Sequence, residues 1–372
     1  MLDLARGFGA RGYFVDLLYS TPPTHGMPEI PENVRPVALN AGGLLARVMR
    51  IAAYLRSDRP LAVFSFYDFA NTVSLASRLS RVQTVVVAGI HNNLSDLFWS
   101  QRGVKSFLRR LLFPYLLRMA DQIVAVSNGV ADDLAELTRI PRNRIWVIYN
   151  PVPFETIRSA ARQPVTHPFF DANSPVILAA GHLEPRKGFA TLLRSFALVR
   201  ERRPARLIIL GEGSQRAELS RLAERLGIQE DLSMPGFTPN PFAYMARAAL
   251  FVLSSEFEGF GLALVEALAL GVPVVSTNCP SGPAEILDYG KYGRLVPVGN
   301  PEAMAGAILD ALLQPRVPEA WGMDRFHPQR ITDQYLSLLN GPADVPRGWT
   351  LAMRWRRNNR SKKARIQNDF WP

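Results

Sequence analysis

The chain has 372 residues, 48% of them hydrophobic and 20% charged, with 43 basic against 32 acidic residues and a formal net charge of +11. That length and composition suit two domains with sizeable cores, and the charge favours an anionic partner such as a nucleotide, an anionic lipid or a nucleic acid. A single cysteine, Cys279, excludes an intrachain disulfide and suits a reducing compartment. No apolar run reaches the roughly 18 residues of a membrane span, and residues 1–7 lack the pattern of a signal peptide. A cytoplasmic protein, soluble or peripheral on the inner face of the membrane, is expected.

Residues 2–10 predict a helix stopped at Arg11-Gly12, and residues 13–19 a strand. The chain therefore opens inside a βα unit, without the strand and glycine-rich turn that normally begin a parallel sheet. A missing parallel strand would expose a sheet edge and its core. Pro22, Pro23, Pro28, Pro31 and Pro36 mark a loop with a short strand to follow. Helices at 44–55 and 70–79 then alternate with strands at 61–66 and 83–90, the pattern of a parallel sheet covered by helices.

His91-Asn92-Asn93 follows directly on the strand ending at Ile90. Ligands in open α/β sheets sit beyond the carboxyl ends of strands, which makes His91 a candidate site residue. The competing reading is a histidine satisfied by hydrogen bonds within its own loop. Residues 99–120 interleave Trp99, Phe107, Leu111, Leu112 and Tyr115 with Arg102, Lys105, Arg109, Arg110 and Arg118. Such a basic amphipathic helix can lie on an anionic membrane. It can equally be a surface helix packed on its own sheet, and Pro114 predicts a kink in it. A strand at 122–127, a helix at 128–138 and a strand at 145–148 close this half. From Asn150-Pro151-Val152-Pro153 the chain reads as a polar connector to about residue 175.

The second half repeats the alternation. A strand at 176–180 ends in Gly181-His182-Leu183-Glu184-Pro185-Arg186-Lys187-Gly188, followed by a helix to 200. A strand, a glycine, a fork-shaped cation and a point cation before a helix suit a diphosphate, and a solvated basic loop is the plainer alternative. The strand at 206–210 turns through Gly211-Glu212-Gly213 into a helix at 215–226. A short strand at 232–237 and a short helix at 241–247 lead to a strand at 250–253. After that strand come Ser254-Ser255-Glu256-Phe257-Glu258-Gly259-Phe260-Gly261-Leu262 and a helix that is apolar almost all round, hence buried. Glu266 lies inside that helix and needs a partner, because a buried unpaired carboxylate is costly. Gly259 and Gly261 let backbone approach a ligand, and amides at a helix start favour an anion. Two carboxylates for hydroxyl groups and a set of N–H donors for phosphate match a nucleotide sugar; a core helix with one salt-bridged glutamate accounts for the same residues. A strand at 273–276, the loop Cys279-Pro280-Ser281-Gly282-Pro283, a strand at 293–296 and a helix started by Asn300-Pro301 follow. A last helix is predicted at 325–339. Residues 341–372 hold eight basic residues against two acidic ones, about half the chain's excess charge, with no apolar period. They are expected to be disordered.

Together these residues resemble a family-4 retaining glycosyltransferase of the GT-B fold, an α/β architecture of two Rossmann-like domains facing across a cleft. The matching residues are Glu258-x7-Glu266 with its Gly-Phe-Gly turn, the Gly181 to Gly188 run, Gly211-Glu212-Gly213, Ser127-Asn128-Gly129, Asn150-Pro151-Val152 and the segment from Cys279 to Glu285. The resemblance covers about residues 1–340. It implies an acceptor-side domain at 1–165, lacking its first strand, and a donor-binding domain at 173–320. It further implies a C-terminal helix at 321–340 packed back on the first domain, ahead of the tail at 341–372.

By that resemblance Glu266 grips the ribose hydroxyls and Glu258 the donor sugar. The amides of Phe260, Gly261 and Leu262, with Arg186 and Lys187, hold the diphosphate, and His91 sits across the cleft near the sugar. Gly259, Gly181, His182, Gly211 and Gly213 complete the donor site. The family usually has arginine where this chain has His182, which throws the phosphate charge onto Arg186 and Lys187. The resemblance implies no cofactor and no metal, only a nucleotide-diphosphate sugar as donor and a glycan or lipid-linked acceptor. Peripheral contact with an anionic membrane is expected and nucleic acid is not. Two other classes compete: a catalytically inactive nucleotide-sugar-binding partner, prompted by the missing turn, and a nucleic-acid-binding protein, prompted by the charge. A phosphorylase of similar fold lacks a pyridoxal-lysine context here.

Overall fold

The computed structural model describes residues 1–340 apart from 20–29, 67–68, 96–103, 172 and 316–321. The basic tail at 341–372 and the start of the helix predicted at 99–120 lie outside the described residues. In chain order the first half runs α1 (Leu2–Ala10), β1 (Val15–Tyr19), β2 (Val34–Ala38), α2 (Leu44–Asp58), β3 (Ala62–Phe66), α3 (Phe69–Ser80), β4 (Val85–Ile90), α4 (Val104–Leu117), β5 (Gln122–Ala125), α5 (Asn128–Thr138) and β6 (Ile145–Val147). After α6 (Phe154–Ala161) come β7 (Val176–Ala180), α7 (Phe189–Arg200), β8 (Arg206–Leu210), α8 (Arg216–Arg225), β9 (Leu232–Gly236), α9 (Pro241–Met245) and β10 (Leu250–Leu253). The chain closes with α10 (Leu262–Ala269), β11 (Val274–Thr277), α11 (Pro283–Ile286), β12 (Arg294–Val296), α12 (Pro301–Leu313) and α13 (Pro328–Ser337).

Among the described residues every ladder is parallel. The second half forms one six-stranded sheet in the order β12-β11-β10-β7-β8-β9. The first half carries a four-stranded sheet, β3-β4-β5-β6, and a separate pair, β1-β2. Strands covered on both faces need apolar residues at every position. Residues Val176 to Ala179, Leu207 to Leu210 and Leu250 to Leu253 are accordingly all buried. The covering helices show the helical period instead: α7 buries Phe189, Leu192, Leu193, Phe196 and Val199. The Asn300-Pro301 start of α12 is a true cap, with the Asn300 side chain accepting from Ala303 N at 2.9 Å.

One stretch departs from its sequence reading. The polar connector after Pro153 contains α6, which buries Phe154, Ile157 and Ala161. That spacing is one apolar helix face, masked in the sequence by the flanking prolines and arginines. The side chain of Asn240, which caps α9, donates to Ala160 O at 2.9 Å, tying α6 to the second half. The chain then returns: Ile331, Tyr335 and Leu338 of the last helical segment are buried in one cluster with Leu4, Phe8, Val87, Val124 and Ile148 of the first half. The outgoing and returning segments of the connection touch, Val152 N donating to Phe326 O at 2.9 Å.

Candidate active site

The loops at the carboxyl ends of β7 and β10 are stitched together. Gly188 adopts φ +62°, and a Cβ there would lie 2.1 Å from Ser254 O, so only glycine lets the two loops meet. Ser254 Oγ donates to Lys187 O at 2.8 Å, and Glu256 N donates to Arg186 O at 2.8 Å. This stitching delivers Lys187 Nζ to 2.5 Å from Glu258 Oε1. Ser255 Oγ donates to the same oxygen at 2.7 Å. The two charged side chains are only 14% and 8% exposed, so each needs the other.

Gly181 lies beside this pair, a Cβ there falling 3.4 Å from the Lys187 Cε. Gly211 backs it, since a Cβ at that residue would stand 2.0 Å from Gly181 O, and one at Gly213 would stand 2.5 Å from Leu183 O. Gly181, Gly211, Gly213, Lys187, Glu258 and Gly259 thus gather beyond the carboxyl ends of β7, β8 and β10, where open α/β sheets bind ligands. Gly261 caps α10 in a left-handed conformation with φ +95°. Phe260 is buried and stacks on Tyr149 at 5.5 Å between ring centroids. Leu262 is partly exposed at the first turn of α10.

The first half closes onto this turn. A Cβ on Gly259 would lie 1.9 Å from His91 O, so the loop after β4 rests on the loop after β10. The His91 ring packs edge-on against Phe66 at 5.1 Å. Burial holds it neutral, its pKa pulled down to about 4. His91 therefore offers an uncharged imidazole at neutral pH.

Two residues, Glu266 and Arg186, sit otherwise than the sequence implied. Glu266 acquires no side-chain hydrogen bond or ion pair among the described residues. Burial pushes its pKa up to about 7, and none of the described residues supplies the partner it needs. Arg186 does not stand beside Lys187 as a second free cation; its Nε donates to Glu184 Oε2 at 2.9 Å, within its own loop. His182 is exposed, beside Gly181.

Sequence reasoning missed the supports of the site. Ser127 Oγ donates to Gly259 O at 2.9 Å. Asn93 Nδ2 donates to Ser281 Oγ at 3.4 Å. Asp133 accepts from Leu94 N at 2.7 Å and from the Ser95 hydroxyl, fixing the loop that follows His91. Ser127 and Ser281 lay in motifs already visible, but nothing local to either motif names a partner so far away in the chain. A separate surface hollow lined by Asp324, His327, Arg330 and Asp333 contains none of these residues. Among the described residues no group of three or more His, Cys, Asp or Glu could hold a metal ion. Among them, too, no helix is long and apolar enough to cross a membrane.

Comparison with known proteins gives this geometry its family. The model for glycosyltransferase family 4 matches residues 1–156, and that for glycosyl transferases group 1 matches residues 166–324. Over 258 residues the chain is 30% identical to a Campylobacter jejuni protein, covering 69% of this chain and 68% of that one. The relative is the N-acetylgalactosamine-N,N'-diacetylbacillosaminyl-diphospho-undecaprenol 4-alpha-N-acetylgalactosaminyltransferase. The chain belongs to the family-4 glycosyltransferases.

This glycosyltransferase is also 32% identical over 256 residues to the lipopolysaccharide core biosynthesis glycosyltransferase LpsE of Rhizobium meliloti, covering 66% of the chain and 72% of the relative. Its fold is GT-B. HepE of Anabaena, solved in complex with UDP-glucose, matches with a TM-score of 0.74 over 92% of this chain and 94% of that one, at 22% identity. Sucrose-phosphate synthase of Thermosynechococcus elongatus matches with a TM-score of 0.72 over 91% of each chain, at 21% identity.

Proposed function

We propose that this glycosyltransferase moves a sugar from a nucleoside-diphosphate sugar to a lipid-linked or polysaccharide acceptor in cell-envelope glycan synthesis, with retention at the anomeric carbon and without a required metal. The observation that carries the proposal is the enclosed Lys187–Glu258 pair beyond the strand ends, with the neutral His91 loop lying against Gly259 from the other half. A diphosphate arriving at Lys187 gives the ammonium a new anionic partner and frees Glu258 to accept hydrogen bonds from sugar hydroxyls.

Glu266 accepts from the ribose hydroxyls, a partner that no described residue gives its half-buried carboxylate. The amides of Phe260, Gly261 and Leu262, at the start of α10, cradle the diphosphate. Lys187 and these amides stabilise the charge that grows on the leaving group, the kind of term that usually dominates catalysis. Arg186 joins them once it leaves Glu184. The bond from the anomeric carbon to the diphosphate oxygen breaks through an oxocarbenium-like state. The acceptor oxygen bonds to the same face of that carbon, and its proton passes to the departing phosphate oxygen, so no protein nucleophile is needed.

The Campylobacter relative, by its name, acts on a diphospho-undecaprenol-linked acceptor, which supports the lipid-linked reading. The membrane part is supported by α4, where Leu111, Leu112 and Tyr115 stand 53%, 45% and 63% exposed. The deciding experiment is a calorimetric titration with UDP, GDP and ADP on the wild type and on Glu266→Ala. One nucleotide is expected to bind, and to bind about tenfold or more weaker in the variant. A folded wild type that binds none of the three removes the donor-site reading.

A further inference from the structure

The structure joins two of the sequence motifs to each other, Ser127-Asn128-Gly129 and the segment from Cys279 to Glu285. Glu285, in α11, aims its carboxylate at the N-terminus of α5. Its Oε2 accepts from Asn128 N and Asn128 Nδ2, both at 2.9 Å, and its Oε1 accepts from Gly129 N at 3.0 Å. The Tyr149 hydroxyl donates to Oε2 at 3.2 Å. All four donors belong to the first half and the acceptor to the second. The free amides and positive dipole end of a helix favour an anion, and hydrogen bonds to an ion are stronger than neutral ones.

The surroundings make this contact a control point. A Cβ on Gly129 would lie 2.7 Å from Ser281 Cα, so the halves meet backbone to backbone. Helix α5 holds the loop of His91 through Asp133 and the donor turn through Ser127 at its cap. Tyr149 stacks on Phe260 of the donor turn and lies 5.3 Å from Phe326, where the returning chain touches the outgoing one.

We infer that Glu285 is a positioning residue: its charge, seated in the N-terminus of α5, holds the two halves closed in the register that sets His91 against the donor turn. The inference rests on the donor-site reading above for its catalytic consequence, and on the hydrogen bonds alone for its mechanical one. Loss of the charge lets the halves part about the paired connectors at 150–153 and 323–326, and it leaves the donor loops of the second half whole.

Glu285→Gln keeps the shape, removes the charge and turns an amide N–H toward N–H donors. Glu285→Asp keeps the charge. Small-angle scattering of the nucleotide-free proteins is expected to show a larger radius of gyration for the Gln variant than for the wild type, with the Asp variant near the wild type. With the nucleotide sugar that the wild type turns over, the Gln variant is expected to lose about tenfold or more in kcat. Its KM for the donor and its nucleotide Kd should stay within about twofold, and the Asp variant should recover part of the rate.

A Gln variant that melts cooperatively and scatters as the wild type does overturns the inference. So does a fall in nucleotide affinity that parallels the fall in kcat, which would confine Glu285 to propping up the donor loop. A wild type that binds no nucleotide defeats the donor-site reading instead, and the scattering comparison then decides the latch by itself.

Discussion

Lys187 Nζ stands 2.5 Å from Glu258 Oε1, across two loops that share three further backbone contacts. The cation and the carboxylate neutralise each other. Removing one leaves the other buried with its charge uncompensated, a loss of about 3–5 kcal/mol. Lys187→Ala is therefore expected to cost stability on that scale in a urea titration, besides abolishing transfer. The double variant Lys187→Met with Glu258→Gln should cost clearly less than the sum of the two single changes. A simple sum would mean that the pair is not coupled in solution.

Glu266 sets a pH dependence. Burial raises its pKa to about 7, and in the proposed role the ionised form is the one that accepts from both ribose hydroxyls. Nucleotide affinity should hold above about pH 7 and weaken as pH falls below it, by at most about tenfold per unit for one proton. Glu266→Gln should bind more weakly and lose most of that dependence. For stability the sign is opposite. The folded pKa lies above the unfolded value, so the contribution of this group is fully present below the unfolded pKa and is lost as pH rises through about 7. Calorimetry from about pH 6 to about pH 8 checks the first statement, and melts of the nucleotide-free protein over a wider acidic range check the second.

Gly259 touches the other half of the molecule. A methyl group there meets the His91 carbonyl at 1.9 Å, and the obstacle is backbone, which cannot rotate away. Gly259→Ala is expected to cost about 1–3 kcal/mol and to sharply reduce turnover, because the His91 loop must retreat from the donor turn. Full activity in this variant would show that the loop is free to move.

Leu111, Leu112 and Tyr115 expose apolar surface on α4 with no covering element among the described residues. Replacing Leu111 and Leu112 by Gln should weaken binding to anionic liposomes by about tenfold or more and leave the melting temperature nearly unchanged. Equal binding by the variant in a flotation assay would remove α4 from the membrane contact.

The repeated strand–helix alternation, the covered parallel sheets and the glycine-rich loops beyond the strand ends were all legible in the residues themselves. Parallel strands buried on both faces must be apolar throughout, as β7, β8 and β10 are, and helices must show their own period, as α7 does. The Asn300-Pro301 cap was legible for the same reason: its chemistry is local. The α6 helix was not, because its three apolar positions are diluted by polar neighbours and framed by prolines.

What the sequence by itself determined about this protein is therefore its local grammar and, through that grammar, its fold class and the place of the loops beyond the strand ends. Only the tertiary structure decided which groups face each other. Lys187 meets Glu258 from 71 residues away, and Asn128 meets Glu285 from 157 residues away. It also decided that Glu266 finds no partner among the described residues and that Arg186 turns back to Glu184. Propensity, period and capping act over a few residues. Pairing of buried charges depends on how sheets and loops close in space, and no pattern within one segment records that.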